Sequence, residues 1–250
     1  MQLNKGAEKR LKQGHLWIYS NEINVKQTPL KSFEPGEQVQ VKTHTDKIIG
    51  TAFMSPSSLI AGRVISRDSK QFMDQSLLVH RLNIALSLRQ NAFSEPCYRL
   101  VFGDSDRLPG LVIDRFEDDY VVQISSVGME LLKQEIISAL DKVCKPKHIV
   151  FKNNGKMRGP EGLESYVEVA KGDEIEDAEF TENGVKFVAP IIAGQKTGWF
   201  YDHRMNRARL KDYVKGKRVL DLYSYVGGWG IQAAAFGAAS VTCVDSSTLA

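Results

Sequence analysis

The sequence predicts a mixed α/β and α+β chain in three parts: a small amino-terminal β-barrel, a central α+β domain and the start of a Rossmann-like parallel sheet. Three observations carry this. Short strand patterns recur at about ten-residue spacing in the first part of the chain. Further strands, one of them following a long helical pattern, occupy the middle. Near the carboxyl end a strand, a glycine turn, a helix and a second strand follow one another and finish on an acid. We place the boundaries at residues 1–70, 71–190 and 191–250.

The first part opens on a basic stretch, Lys5, Lys9, Arg10 and Lys12, which runs into Gly14-His15-Leu16-Trp17-Ile18-Tyr19. Gln38 to Lys42 alternates polar and apolar, Lys47 to Phe53 reads as a strand with Gly50 as a bulge, and Leu59 to Ile65 as another. Asp74 to Asn91 sets Leu77, Leu78, Arg81, Leu82, Ala85, Leu88 and Arg89 at helical spacing, which suits a connector helix. In the second part, Tyr98–Phe102, Leu111–Phe116, Tyr120–Ser125 and His148–Phe151 read as strands, with a turn-rich loop at 103–110. Glu130–Val143 reads as one helix with Leu131, Leu132, Ile136, Ile137 and Leu140 on a single face. Further strands run out to Val188, and Lys152–Gly162 reads as a loop rather than a core element.

Chemistry becomes legible in the third part. Lys217–Leu222 is a short strand carrying Asp221, followed by Tyr223-Ser224-Tyr225-Val226-Gly227-Gly228, a helix over Trp229–Phe236, a strand at Ser240–Val244 and then Asp245. Glycines permit a tight turn and close approach to a ligand. The helix amino terminus offers free N–H groups, and Asp245 stands where a ribose diol is bound in such units. The fingerprint Gly-x-Gly-x-x-Gly is absent, and a carboxylate at Asp221 would repel a pyrophosphate but suit an ammonium group. A methyltransferase, a dehydrogenase and a purely structural turn all remain open at this level.

Composition narrows the classes. At 42% hydrophobic and 25% charged the 250 residues suit a globular protein and exclude disordered, collagen-like and coiled-coil chains. No apolar run approaches the roughly 18 residues that cross a bilayer, and no apolar stretch follows the basic start, so neither signal peptide nor membrane helix is expected. Cys97, Cys144 and Cys243 are too scattered for a disulfide framework or a metal site, and suit buried thiols in a reducing cytoplasm. Residues 1–70 hold 11 Lys/Arg against six Asp/Glu, residues 71–190 hold 14 against 20, and residues 191–250 hold eight against four. Two basic ends around an acidic middle suit a polyanionic partner, and suit two solvated faces equally well.

Gln195-Lys196-Thr197-Gly198-Trp199-Phe200-Tyr201-Asp202-His203-Arg204, followed by Arg218-Val219-Leu220-Asp221-Leu222-Tyr223-Ser224-Tyr225-Val226-Gly227-Gly228-Trp229, resembles the motif pair of bacterial 23S rRNA cytosine 5-methyltransferases of the RlmI type. Phe102-Gly103-Asp104-Ser105-Asp106-Arg107-Leu108-Pro109-Gly110 with Leu111–Arg115 resembles that family's central hairpin. Gly14–Ser20 with Arg63–Ser66 resembles its amino-terminal PUA domain. The resemblance covers the whole chain; only Trp199, Tyr201 and Tyr223 stand where the family varies.

The resemblance implies a PUA domain that contacts RNA, a central domain, and a class I methyltransferase domain with S-adenosylmethionine as cofactor and no metal. The implied partner is 23S rRNA, and a homodimer is left open. Lys5, Lys9, Arg10 and Lys12 are the first candidates for phosphate contact, and the basic 204–218 stretch would flank the cleft. Trp17 and Tyr19 read better as barrel core than as base-stacking residues, and His15 as structural. Asp245 is expected on the ribose, and Asp221, Ser224, Tyr225, Gly227 and Gly228 around the methionine moiety. Gln195, Thr197, Gly198, Phe200, Asp202 and Arg204 belong to the motif that lies over the cleft. Arg204 either grips a carboxylate or phosphate or pairs with Asp202 or Asp221, and His203 is placed at the surface.

The implied chemistry is attack of a cysteine thiolate on carbon 6 of cytosine, which makes carbon 5 able to take the methyl group, after which a base removes the carbon 5 proton and the thiolate leaves. Cys243 reads as a core residue of its strand and the other two cysteines belong to the central domain, so the nucleophile is expected after Ala250. Two strands of a sheet that usually has about five or more make the chain read as an amino-terminal fragment, inactive alone, ending in the cap and first turn of a helix at 245–250. Two alternatives from other classes remain: a noncatalytic RNA-binding protein, and a nucleotide-cofactor oxidoreductase resting on the βαβ unit alone.

Overall fold

The computed structural model describes residues 1–247; of the cap and first helical turn expected at 245–250, residues 248–250 lie outside the described residues. After a short helix α1 (Glu8–Lys12), strands β1 (Trp17–Ile18), β2 (Gln38–Lys42), β3 (Ile48–Met54) and β4 (Gly62–Ser66) form an antiparallel sheet in the order β1-β4-β3-β2. The alternation of β2 buries Val39 and Val41 against Leu3, Ile18, Ile23 and Ala52. Gly50 stands opposite Val41 at a register shift, and a Cβ there would lie 2.2 Å from the Ser66 carbonyl oxygen, so the expected bulge needs its glycine. β4 begins at Gly62 rather than Leu59, because the Ser55 N–H closes a turn onto the Ala61 carbonyl and leaves Leu59 exposed.

Trp17 and Tyr19 are not barrel core. A two-residue strand that points Ile18 inward points Trp17 outward, where its Nε1 donates to Asp104 Oδ2 at 2.6 Å. Tyr19 lies half-buried with the Arg10 guanidinium 5.0 Å from its ring, and His15 is exposed.

Helix α2 (Gln75–Ala92) starts where predicted, with the Asp74 carboxylate accepting the Leu77 N–H at 2.8 Å. It buries Leu77, Leu78, Leu82 and Ala85 and leaves Leu88 outside. A five-stranded sheet follows, β5 (Cys97–Phe102), β6 (Leu111–Phe116), β7 (Asp119–Ile124), β8 (His148–Asn153) and β9 (Tyr166–Lys171), in that spatial order. All pairs are antiparallel except β7–β8, whose crossover carries α3 (Val127–Glu130) and α4 (Lys133–Cys144). The single helix expected over Glu130–Val143 is therefore two. Gly128 seats α3 against Phe53 so closely that a Cβ would lie 2.3 Å from the ring, and the chain breaks at Leu131, which is exposed, before Ile136 and Leu140 turn inward.

Helices α2 and α4 cover one face of this sheet, over Leu100, Ile113, Val122 and Phe151. The other face packs Phe116, Val121 and Val150 under the hairpin β10 (Ala178–Glu182)/β11 (Val185–Ala189) and under Trp199 and Tyr201. The segment 152–162 is more than a loop. Lys152 and Asn153 lie within β8, and buried Glu161 accepts from Ser55 Oγ at 2.6 Å and Arg63 Nη2 at 2.9 Å, joining the first sheet to the second.

The remaining elements are α5 (Arg204–Ala208), β12 (Arg218–Leu222), α6 (Gly228–Ala235) and β13 (Ser240–Val244). β12 and β13 pair in parallel, Leu222 opposite Val244, as a βαβ unit demands. Leu220, Leu222 and Val244 share one face of the pair and stay exposed; α6 packs on the other face, where Cys243 lies against Gly230 yet is exposed, contrary to its expected place in a core. Among the described residues no helix is long and apolar enough to cross a membrane.

Candidate functional site

Between β12 and α6 the chain makes a turn that L-residues resist. Tyr223, Tyr225 and Gly227 have φ of 59°, 49° and 74°, a left-handed conformation that costs a non-glycine residue about 1–2 kcal/mol. Directed hydrogen bonds hold it. Ser224 N donates to the Val244 carbonyl at 3.1 Å and Tyr225 N to Asp245 Oδ2 at 2.7 Å. The Tyr225 hydroxyl accepts the Gln195 N–H at 3.0 Å and donates to the Gly198 carbonyl at 3.3 Å, which joins the turn to the 195–204 motif. The N–H groups of Ser247 and Tyr225 together hold the Asp245 carboxyl below its ordinary range, while the group itself stays exposed to solvent.

A cleft of about 400 Å³ opens beside this turn. Tyr223, Ser224, Tyr225, Gly228, Trp229 and Asp245 form one side, and Gln195, Trp199, Phe200, His203 and Arg207 the other. Gly228 is indispensable to the closeness of the two sides: a Cβ on it would lie 2.8 Å from the Trp199 ring.

Of the residues singled out in the sequence, Gln195, Phe200, Ser224, Tyr225, Gly228 and Asp245 converge on the cleft. The rest serve elsewhere. Asp221 Oδ2 accepts the Gly230 N–H at 2.8 Å and so fastens the first turn of α6 to its strand. Gly227 caps that helix from behind, and Gly198 contributes its carbonyl to Tyr225. Thr197 is buried and donates to Asp114 Oδ2 at 2.5 Å, in the central sheet, where Asp114 also accepts from Arg99 Nε and Nη2, each at 2.9 Å. Asp202 is exposed beside a second cleft with Arg99 and Phe102. Arg204 takes neither expected role: it is buried over Phe93, pairs with Glu95 and donates to the Cys97 carbonyl.

Trp229 and Tyr223 were within reach of the sequence, as neighbours of the glycine turn. Arg207 lies in the basic 204–218 stretch expected to flank the cleft, but its buried partner Glu182, 25 positions away on a different element, was not legible. His203, read as a surface residue, is exposed yet forms part of the cleft wall, its ring 6.0 Å from Trp229.

The basic stretches also divide. Lys5, Lys9 and Lys12 are exposed, whereas Arg10 is paired with Glu22 at 2.7 Å. In the 204–218 run Arg204 and Arg207 turn inward. Arg209, Lys211, Lys215, Lys217 and Arg218 lie exposed around exposed Tyr213, with no side-chain hydrogen bond or ion pair among the described residues.

A strand–turn–helix–strand unit with an acid at the second strand's end and a glycine-floored cleft is the arrangement of a nucleotide-type cofactor enzyme. Residues 123–249 match the S-adenosylmethionine-dependent methyltransferase family and residues 1–67 a PUA-like domain, and the chain belongs to that methyltransferase family. The match begins within β7, upstream of the boundary expected at residue 191.

Within the family its relatives are narrower. The chain is 37% identical over 253 residues to the ribosomal RNA large subunit methyltransferase I of Aliivibrio fischeri, covering 99% of this chain and 63% of the relative. For the protein of the same name from Vibrio parahaemolyticus the figures are 36% over 250 residues, 98% and 62%. A SAM-dependent methyltransferase structure from Streptococcus mutans superposes with a TM-score of 0.81 at 26% identity, over 99% of this chain and 63% of that one. A methyltransferase structure complexed with SAH gives 0.82 at 25%, with the same coverage. The chain thus spans about 63% of the length of the relatives it matches.

Proposed function

We propose that this chain serves transfer of a methyl group from S-adenosylmethionine to large-subunit ribosomal RNA, with 5-methylcytosine as product and the cytoplasm as its place of work. The observation that carries the cofactor reading is the glycine-floored cleft with Asp245 on its rim. The donor and acceptor set fits the cofactor. Asp245 spends one lone pair of each oxygen on backbone N–H groups and, being exposed, has others left for two ribose hydroxyls. Ser224, Tyr225 and Gly228 would border the methionine moiety, and a cleft of about 400 Å³ lies in the size range of ligand sites. When bound, the cofactor supplies an electrophilic methyl group. The chain's own residues position it: Phe200 and Trp229 line the cleft, and the hydrogen-bonded turn keeps Asp245 fixed.

Exposed Lys5, Lys9 and Lys12 and the free cations from Arg209 to Arg218 supply sequence-independent attraction for an RNA backbone. We retain the division into RNA-binding, central and methyltransferase parts at 1–70, 71–190 and 191–250. The thiolate that attacks cytosine is none of the three cysteines present. Burial pushes the Cys97 thiol up to about 12, and Cys144 and Cys243 are also raised, by burial first.

Calorimetric titration of the chain with S-adenosylhomocysteine is expected to show one site, weakened about tenfold by Asp245→Asn, the usual scale for losing a charged hydrogen-bond acceptor. Incubation of large-subunit rRNA with labelled S-adenosylmethionine and the chain, followed by nucleoside mass spectrometry, is expected to show no 5-methylcytosine, and its formation would overturn the statement that none of the three cysteines is the attacking thiolate. Binding of a nicotinamide cofactor in place of S-adenosylhomocysteine would overturn the reading.

A further inference from the structure

We infer that Glu182 is a positioning residue for the cofactor cleft: standing outside the cleft, it sets the relative placement of Trp199, Arg207 and α6. The inference rests on the cofactor reading above and goes beyond it, since no motif of the cleft contains Glu182. Its side chain is fully buried at the end of β10, and four donors converge on its two oxygens. Arg207 gives Nε at 2.6 Å and Nη2 at 2.9 Å, Trp199 gives Nε1 at 2.9 Å and Gln232 gives Nε2 at 2.9 Å. Those donors come from the segment before α5, from α5 and from α6, so a single carboxylate joins three separate pieces of chain.

The consequence for the cleft is geometric. The paired Arg207 guanidinium lies 4.7 Å from the Trp199 ring centroid, and the edge of that ring meets Gly228 at the floor of the cleft. The hairpin tip reinforces the joint: Asn183 Nδ2 donates to Gln232 Oε1 at 2.9 Å and to the Arg204 carbonyl at 3.1 Å. Trp199 and Arg207 both border the cleft, whereas Glu182, Asn183 and Gln232 do not. A buried acceptor of four charged or polar donors has no water to replace it, so loss of its charge leaves Arg207 uncompensated and frees the wall to shift. A site left about 1 Å too loose by its supporting groups binds poorly even with every contact residue present.

Two isosteric variants test this by calorimetric titration of the chain with S-adenosylhomocysteine, with a thermal melt and tryptophan fluorescence read on the same samples. Glu182→Gln is expected to weaken binding about tenfold, and the milder Gln232→Met about threefold, at a temperature where both are folded by circular dichroism. Tryptophan emission should shift with Glu182→Gln, which takes the charge from Trp199 Nε1, and checks that the substitution reaches the ring. A merely structural role would lower the melting temperature and leave the affinity of the folded protein unchanged; that result overturns the inference. Should Glu182→Gln not fold, Gln232→Met decides alone by the same criterion. Absence of binding by the unsubstituted chain overturns the cofactor reading, and this inference with it, whereas full binding by both variants overturns this inference only.

Discussion

The central five-stranded sheet and the β12–β13 pair dispose of their side chains in opposite ways. Ile149, Val150 and Phe151 point alternately to the two faces of the central sheet and all are fully buried. In the carboxyl-terminal pair Leu220, Leu222 and Val244 remain in solvent. Arginines follow the same division: Arg99 and Arg158 are spent on carboxylates within the central part, while Arg209 and Arg218 engage nothing among the described residues. One region is held by apolar burial, which has no direction. The other is held by a few directed bonds, from Asp221, Tyr225, Asp245 and Glu182, and these place the cleft. A binding turn held that way can be retuned by single polar substitutions without melting the scaffold beneath it.

The contrast is broken or upheld most directly by truncating one apolar residue in each region. Phe151→Ala is expected to cost about 3–5 kcal/mol, the range for a large aromatic removed from a closed core. Leu222→Ala is expected to cost no more than about 0.5 kcal/mol, as for other exposed positions. Urea denaturation followed by circular dichroism measures both. A loss above about 2 kcal/mol for Leu222→Ala would mean that the pair is covered in solution and the comparison fails.

The same contrast separates what the sequence made legible from what it did not. Elements with a strict local period were readable: β2 from its alternation, α2 from its spacing, β12 and β13 from short apolar runs on either side of a glycine turn. The glycine turn also gave Ser224, Tyr225, Gly228 and Asp245, because a βαβ unit puts its strand ends and helix start in one place. The break between α3 and α4 escaped, since it depends on Gly128 meeting Phe53, a residue of another sheet. The roles of Arg204 and Thr197, and the pairing of Arg207, escaped for a related reason. Their partners Glu95, Asp114 and Glu182 are acids on strands or loops far along the chain, and charge alone does not say which acid an arginine will find. Motif reading located the cleft and misassigned the residues that brace it.

An intermediate effect is expected from the free cations. The double variant Lys211→Glu/Lys215→Glu should weaken binding of an unpaired rRNA fragment. It should also flatten the dependence of log affinity on log salt by about 0.7 per lost phosphate contact, the single-strand value. Lys142→Glu, on the acidic central part, should leave that slope unchanged. Fluorescence anisotropy across a salt series distinguishes them, and equal slopes in all three proteins would show that the exposed cations of the carboxyl-terminal region are solvated rather than engaged.

A further effect is expected where the two regions touch. Lys152 lies on β8 in the covered sheet, and its ammonium donates to the Gly194 carbonyl beneath the segment that walls the cleft. Burial pulls its pKa from the ordinary 10.5 down to about 8. Because the folded value is the lower one, between about pH 8 and 10.5 the unfolded chain holds a proton that the folded chain has released, so this group makes stability rise with pH across that window. Below pH 8 both states are protonated, and its contribution is a constant penalty. Other groups titrate in the same range, so the measured quantity is the difference between the chain and Lys152→Met, followed by thermal melts from pH 7 to about 10.5. The melting temperature of the unsubstituted chain should gain on the variant as pH rises through 8, and parallel curves would show that the ammonium keeps its water. A gain would mean that directed bonding reaches from the cleft wall into the covered sheet itself, so that the boundary between the two regions falls at Lys152 rather than after β11.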